Sequence, residues 1–174
     1  MPRILKPERF ASRDTVKLAR DLIGKTLVVS PPDQEPARYR ITETEAYDGP
    51  QDLACHASKG RTARTAVMFG PAGRWYVYLI YGMHEMLNLV TGPENYPAAI
   101  LIRGVEGIDG PGRLTKRLGI DRRFNALAAT PANALYLEDA ACVPDEQVVA
   151  TPRIGVDYAG PDWSQRPYRF VAIK

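Results

Sequence analysis

The chain has 174 residues, a length that suits one domain with a proper buried core. Hydrophobic residues make up 45% and charged residues 25%, as in ordinary soluble globular proteins, and no run of about 20 apolar residues is present to span a bilayer. The net charge of +3 is too small by itself to indicate a nucleic-acid partner, and the two cysteines lie outside any Cys-x-x-Cys pattern. We therefore expect a soluble, cytoplasmic protein with reduced cysteines.

The N-terminal segment predicts a helix followed by a short strand. Ser12 or Asp14 can cap the helix, and Gly24 can end it. The apolar stripe between these ends consists of Leu18, Ala19, Leu22 and Ile23. Residues 27–29 then predict a short strand that two prolines end.

A second strand, at residues 39–47, carries acidic residues at period two. Regular alternation would place five residues on one face of this strand: Tyr39, Ile41, Glu43, Glu45 and Tyr47. A carboxylate among apolar and aromatic neighbours is disfavoured in its charged form, so its pKa rises toward the range useful for proton transfer. Strand carboxylates are more often simply solvated, and the spacing does not say which of the two acids would be catalytic.

The clearest strand prediction is the aromatic segment from Trp75 to Tyr81. Tyr76 and Tyr78 would share one face of it, either as packing surface or as a wall for a flat ligand with polar edges, such as a nucleobase. Tyr81 directly precedes Gly82, where the chain is expected to turn. Its ring could therefore project past the end of the strand as a wedge.

The remainder of the chain predicts mostly strands, at residues 87–91, 98–106, 134–137 and 168–173, with one short helix at 113–118. Strands in succession, with helices only at the start and middle, favour an α+β fold. We expect a curved antiparallel β-sheet or partial barrel with surrounding short helices. No internal repeat or linker interrupts the sequence, so residues 1–174 are predicted to form a single domain.

Several catalytic classes lack their sequence signature. The two histidines, His56 and His84, have no zinc-deaminase pattern around them, so no metal is expected. The Gly-x-Ser-x-Gly elbow of hydrolases and the phosphate-binding Gly-x-x-x-x-Gly-Lys-Ser/Thr loop are both missing. The sequence does not exclude a Ser-His-Asp triad built from residues that are distant in the chain.

Basic residues cluster in two regions. Arg61 and Arg64 lie in a polar loop, and Arg113 and Lys116 lie on the predicted helix, close to three more arginines. The segment 110–112, Gly-Pro-Gly, leaves free backbone amides at the start of that helix, where a phosphate could bind. These residues could form a solvated helix face, or they could supply the phosphate contacts that give DNA binding its salt sensitivity.

Two motifs are specific in combination: Glu43-Thr-Glu-Ala-Tyr47 and Tyr76-Val-Tyr-Leu-Ile-Tyr-Gly-Met83. Further segments in the same order are Leu18-Ala-Arg-Asp-Leu-Ile-Gly-Lys-Thr-Leu27, Met68-Phe-Gly-Pro71, Ile102-Arg103, Gly110-Pro-Gly-Arg-Leu114 and Arg153-Ile-Gly-Val156. Together they resemble the alkyladenine (3-methyladenine) DNA glycosylase family over nearly the whole chain. The resemblance is to the compact bacterial form, which has no N-terminal extension.

The resemblance implies a base excision repair enzyme that acts as a monomer on double-stranded DNA, near the nucleoid, without metal or cofactor. It would flip a damaged, alkylated or deaminated purine out of the duplex and hydrolyse its N-glycosidic bond, leaving an abasic site. Glu45 would activate the attacking water, and Arg103 would help hold the water and the nucleotide. The base pocket would be formed by Tyr47, His56, Tyr78 and Asn88. Tyr81 would fill the gap left in the duplex.

The chain departs from the family pattern in three places. Ala63 and Thr65 replace a proline and an asparagine that members often carry, and Glu85 puts a negative charge near the proposed wedge. These changes bear on substrate range and DNA affinity. Two other functions stay open: a bifunctional glycosylase/lyase that uses Lys59 as a Schiff-base nucleophile, and a damage-binding module that cleaves nothing.

Overall fold

The computed structural model describes residues 1–173, in which nine strands form one antiparallel sheet curled into a half-barrel. The strands are β1 (Thr26–Val29), β2 (Ala37–Tyr47), β3 (Trp75–Ile80), β4 (His84–Thr91), β5 (Ala98–Val105), β6 (Ile108–Asp109), β7 (Leu135–Glu138), β8 (Val148–Thr151) and β9 (Arg169–Ala172). The described residues also contain seven short 3-10 helices and three α-helices: α1 (Thr15–Leu22), α2 (Pro111–Leu118) and α3 (Gly160–Trp163). The predicted single-domain α+β fold with a curved antiparallel sheet is confirmed.

Strand β2 organises the sheet because its two halves pair with different neighbours. The order along the sheet is β3-β4-β5-β2-β1-β7, with β9 also paired to β2 and β8 paired to β9. The first half of β2 pairs with β1, whereas residues 43–47 pair with β5 and β9. The acidic segment of the sequence therefore lies at the centre of the curl.

The main hydrophobic core lies between one face of the sheet and the helices α1 and α2. Leu22 of α1 and Leu114 of α2 pack there with Trp75, Leu89 and Ile102 from three neighbouring strands. Of the two predicted caps, Ser12 and Asp14, it is Asp14 that caps α1, by accepting a hydrogen bond from the Lys17 amide (3.2 Å). None of the helices in residues 1–173 is long and apolar enough to cross a membrane.

The other face of the sheet carries the alternate residues of the same strands. Tyr76 and Tyr78 on β3 and Asn88 on β4 point away from the helices, next to the core residues Val77 and Leu87. Successive residues of a strand point to opposite faces of the sheet, so alternate residues meet the same surroundings. The helices thus cover one side of the sheet, and the opposite side is left to form a cavity.

Strand β2 breaks the regular alternation, and the prediction of one shared face for residues 39–47 is wrong in its first half. Tyr39 and Ile41 pack in the core on the helix side. The pairing with β5 is irregular around Glu43, which lies opposite Gly104. Beyond that point Thr44 faces α1, where its hydroxyl donates to the Ala19 carbonyl (2.8 Å). A local irregularity of this kind changes which residues face each side of a sheet.

The other differences from the predicted elements are small. Helix α1 ends at Leu22, and Gly24 adopts a positive φ of 87° just beyond it. Helix α2 begins at Pro111 rather than Arg113, and β4 begins at His84 rather than Leu87. Strands β6 and β8 and helix α3 were not predicted; each has four residues or fewer, too few for a periodic pattern.

Candidate functional site

A cavity of about 750 Å³ opens on the sheet face opposite the helices. Its floor comes from β2, β3, β4 and β5, and its walls come from the segments 53–68 and 154–158. A volume in the range of about 300–1,000 Å³ is typical of ligand sites. A smaller depression of about 450 Å³, lined mainly by proline, alanine and glycine, contains none of the predicted site residues.

The cavity collects eight of the predicted site residues: Glu45, Tyr47, His56, Arg64, Tyr78, Tyr81, Asn88 and Arg103. Lys59, the alternative nucleophile, also lines it. The remaining predicted residues, Arg61, Arg113 and Lys116, are exposed and are not part of the lining. The structure therefore brings together residues that are far apart in the chain.

Glu45 lies at the floor of the cavity with no solvent-exposed surface. Its Oε1 accepts a hydrogen bond from the Tyr47 hydroxyl (2.9 Å), and its Oε2 accepts one from the Ile154 backbone amide (2.7 Å). Nη1 of Arg103 lies 3.6 Å from Oε1. Burial raises the pKa of Glu45 above its ordinary value, and the positive charge of Arg103 is the largest effect opposing that rise. The carboxylate is thus ordered by two hydrogen bonds, and burial disfavours its charged form.

Arg103 reaches Glu45 from β5, and a second carboxylate holds it in place. Its Nε donates to Oε1 of Glu43 (2.9 Å), which also accepts from Nε of Arg169 (2.7 Å). Glu43 is therefore committed to two arginines beside the cavity. This geometry separates the two acids of the motif, because Glu45 lines the cavity and Glu43 does not.

Aromatic rings form one wall of the cavity. The His56 and Tyr78 rings lie 4.7 Å apart between centroids, and the Tyr76 and Tyr78 rings lie 5.1 Å apart. Nδ1 of His56 and the Tyr76 hydroxyl are 3.1 Å apart, a hydrogen bond whose direction depends on the histidine tautomer. Burial lowers the pKa of His56, and the nearby charges of Arg64 and Lys59 lower it further. His56 is therefore expected to be neutral near pH 7.

Asn88 is held against the neighbouring strand. Its Nδ2 donates to the backbone carbonyl of Tyr76 (3.1 Å) and to that of Met86 (3.4 Å). The amide is buried, with 3% of its surface exposed, yet it lines the cavity. Such a fixed amide can discriminate between the edges of planar ligands.

Tyr81 stands at the tip of the β3–β4 hairpin. It is 85% exposed and adopts a φ of 54°, followed by Gly82 with a φ of 67°. Two successive positive φ values match a type I′ turn, which favours asparagine or glycine at the first position. A tyrosine there is strained, and such strain is often found at functional sites.

The basic residues predicted to contact phosphates come from two parts of the fold, the segment 61–64 and helix α2. Arg64 stacks over the Tyr78 ring, with its guanidinium carbon 4.7 Å from the ring centroid. Arg113 and Lys116 are exposed on α2, which Gly110 precedes without a side-chain cap. Glu85 lies near these residues, but Nε of Arg122 donates to its Oε1 (3.2 Å), which offsets the negative charge noted in the sequence.

Two contributors to the site were missed by sequence reasoning. The Ile154 amide could not be identified, because a backbone donor has no side-chain signature and lies about a hundred residues from its acceptor. Arg153, behind the cavity, is part of a segment that carries the family resemblance, so a signal for it was present. Within residues 1–173, no group of three or more His, Cys, Asp or Glu side chains is arranged to hold a metal ion.

Comparisons with known proteins identify the family to which the chain is similar. Three similar proteins carry the name "Putative 3-methyladenine DNA glycosylase". The Myxococcus xanthus protein is 50% identical, with 94% of this chain and 87% of the relative covered. The Methanocella arvoryzae protein is 48% identical, with 94% and 90% covered, and the Legionella pneumophila protein is 45% identical, with 98% and 94% covered. A family model described as methylpurine-DNA glycosylase matches residues 9–110 and 107–174. The chain therefore belongs to the methylpurine-DNA glycosylase family.

Proposed function

We propose that this protein is a monofunctional DNA glycosylase that removes damaged purines from double-stranded DNA and leaves an abasic site. The observation that carries the proposal is the placement of Glu45: a fully buried carboxylate, ordered by two hydrogen bonds, at the floor of a cavity walled by aromatic rings. A base inside a duplex cannot reach such a floor, so the nucleotide must first swing out of the helix. Family membership supports the same chemistry.

The reaction places a water between Glu45 and C1′ of the damaged nucleotide. The water oxygen bonds to C1′, the bond from C1′ to the purine nitrogen breaks, and its electron pair leaves with the purine. The Glu45 carboxylate takes the water proton, a step that contributes about 10²–10⁴-fold to the rate. Arg103 helps hold the water and the sugar beside the carboxylate. An alkylated purine carries positive charge and leaves without further protonation.

The extruded purine stacks between Tyr47 on one side and the rings of His56 and Tyr78 on the other. Stacking of a base on aromatic rings returns about 1–3 kcal/mol toward the cost of leaving the duplex. A cationic purine gains additional attraction from the π faces. Asn88 lies at the purine edge and disfavours bases with an exocyclic amine at C2.

The duplex lies across the mouth of the cavity, and Tyr81 fills the gap that the flipped nucleotide leaves. The exposure of Tyr81 at a hairpin tip supports this role. Arg61, Arg64, Arg113 and Lys116 contact phosphates on either side, which makes binding weaken with rising salt. The reaction needs one protein copy and one duplex, so the protein acts as a monomer.

Release of free purine from methylated duplex DNA tests the proposal. The parent protein releases alkylated purine, whereas Glu45→Gln loses about 10²–10⁴-fold in single-turnover rate and keeps its affinity for the duplex. Glu43→Gln is the matched control, since it removes the other acid of the motif; it loses less, because Glu43 acts only through Arg103. Near-normal release by Glu45→Gln excludes Glu45 as the base.

A second candidate activity rests on Lys59, whose side chain lines the cavity. A glycosylase/lyase would use such a lysine to form a Schiff base with C1′ of the sugar. Borohydride added during the reaction traps that adduct as a covalent protein–DNA complex. A trapped complex that disappears in Lys59→Ala favours the lyase, and release of purine without trapping favours the monofunctional enzyme. If no purine is released at all, the protein is a damage-binding module.

A further inference from the structure

Behind the cavity floor, Arg153 and Asp52 form an ion pair in which neither side chain is exposed to solvent. Nη1 of Arg153 donates to Oδ2 of Asp52 (2.6 Å), and Nη2 donates to Oδ1 (3.0 Å). This two-point geometry fixes the guanidinium plane as well as its position. The pair does not line the cavity.

The arginine holds the strand segment that carries the proposed base. Nη1 of Arg153 also donates to the Ala46 carbonyl (2.9 Å), between Glu45 and Tyr47. Its guanidinium carbon lies 5.0 Å from the centroid of the Tyr47 ring. The next residue, Ile154, donates its amide to Oε2 of Glu45 (2.7 Å). Three consecutive residues of β2 are thus held from one position.

The same pair also orders the chain that leads to the aromatic wall. Asp52 accepts hydrogen bonds from the amides of Asp48 (2.9 Å) and Ala54 (3.0 Å), which folds the loop between Tyr47 and His56. Nη2 of Arg153 donates further to the Trp163 carbonyl (3.1 Å). The pair therefore joins the floor of the cavity, the loop that leads to His56 and helix α3.

A purely stabilising role does not require an ion pair at this place. Removing two charges from water costs free energy that well-packed apolar side chains of the same volume would not incur. Nε of Arg153 is buried without a hydrogen-bond partner, which adds to this cost. What an apolar replacement could not provide is the simultaneous hold on the Ala46 carbonyl and the Tyr47 ring by a side chain that directly precedes Ile154, the donor to Glu45.

We propose that Arg153 is a positioning residue for base removal: anchored by Asp52, it sets the orientation of the Glu45 carboxylate and of the Tyr47 ring. The inference rests on the proposed function, in which Glu45 activates water and Tyr47 stacks on the base. Misplacement of a reacting group by about 1 Å can cost about a hundredfold in rate. Arg153 thus acts on the chemical step, through Glu45, without touching the substrate.

Two arginine-to-methionine variants separate positioning from general stabilisation. Arg153→Met removes the clamp, and Arg38→Met is the matched control, because Arg38 lies on the same strand as Glu45, pairs with the buried Glu138 and is remote from the cavity. Each variant is assayed for single-turnover purine release and for affinity to duplex DNA with an uncleavable abasic analogue, with the folded fraction measured by circular dichroism. Per folded molecule, Arg153→Met loses about 10- to 100-fold in release with unchanged affinity, and Arg38→Met loses neither.

A second variant covers the case in which Arg153→Met does not fold. Arg153→Lys keeps the positive charge opposite Asp52 but cannot hold two oxygens of one carboxylate and the Ala46 carbonyl in a fixed plane. Because the charge is kept, the variant folds. Because the fixed geometry is lost, its release rate is still about tenfold lower than that of the parent. A parental release rate in either folded variant overturns the inference.

The pH dependence gives a readout that a loss of stability does not move. The ionisable groups facing Glu45 come from every element packed against it: Arg103, Arg153, Arg169, Tyr47, Tyr78 and Tyr158. Since the Ile154 amide and Arg153 both lower the pKa of Glu45, Arg153→Met moves the acid limb of the release rate to higher pH. An unmoved acid limb contradicts the inference. A parent protein that releases no purine instead refutes the proposed function.

Discussion

Burial and nearby positive charge have opposite effects on the pKa of Glu45. Burial raises the pKa of its carboxyl group, and Arg103, the Ile154 amide, the Tyr47 hydroxyl and Arg153 each lower it. Burial is the largest of these effects, so the folded protein tolerates the charged form less well than the unfolded chain does. The residue proposed to take the proton is therefore also a local source of instability.

This conflict predicts that Glu45→Gln makes the protein more stable while removing its activity. Because folding raises the pKa of Glu45, the stability cost is absent below the pKa of the unfolded chain and complete above the pKa of the folded protein. The variant should unfold at a higher temperature than the parent at pH 8, and the difference should shrink as the pH falls to 4. Calorimetry of both proteins across this range measures the effect. A variant that unfolds at a lower temperature at pH 8 would mean that the hydrogen bonds outweigh the burial of the charge.

At the scale of single elements, the β3–β4 hairpin combines good strand pairing with a strained tip. Six residue pairs join the strands in regular register, from Trp75 opposite Leu89 to Ile80 opposite His84. The tip places Tyr81 at a φ of 54° with its ring in solvent. Local stability thus favours a different residue at this position, whereas a DNA wedge requires a large ring.

Tyr81→Asn should therefore separate stability from function. Asparagine tolerates the left-handed conformation better, so the variant should gain up to about 1 kcal/mol of unfolding free energy. It should release purine from duplex DNA more slowly, because the gap in the duplex is no longer filled. Release from single-stranded DNA should be unchanged, since no gap forms there. Equal losses on both substrates would place Tyr81 in the base pocket rather than at the duplex.

The strands and helices with a clear period could be predicted from the sequence, and the irregular parts could not. The alternation of Tyr76 and Tyr78 with Val77 correctly assigned the two faces of β3. The same reasoning failed in β2, because the irregularity depends on the partner strand, where Gly104 lets Glu43 approach closely. A Cβ atom at Gly104 would lie 3.3 Å from that of Glu43. Pairing of this kind is a tertiary feature that one segment does not encode.

For the whole molecule, the division of the sheet into a helix face and a cavity face explains how one domain provides both stability and a site. The core side contains apolar residues that determine the fold, and the cavity side contains buried polar groups that cost stability. Eight of the candidate site residues that line the cavity could be named from the sequence, mostly from two motifs and their resemblance to a family. The backbone donor and the ion pair behind the floor needed the folded chain, because their partners lie about a hundred residues away.

The proposed role of Glu45 is tested most directly by a crystal structure of Glu45→Gln bound to duplex DNA that contains one alkylated purine. We expect the purine to lie inside the cavity between Tyr47 and the rings of His56 and Tyr78. The substituted side chain at position 45 should face C1′ of that nucleotide, and Tyr81 should occupy the gap in the helix. A purine still stacked in the duplex, or a flipped nucleotide remote from position 45, would exclude Glu45 as the base that activates water.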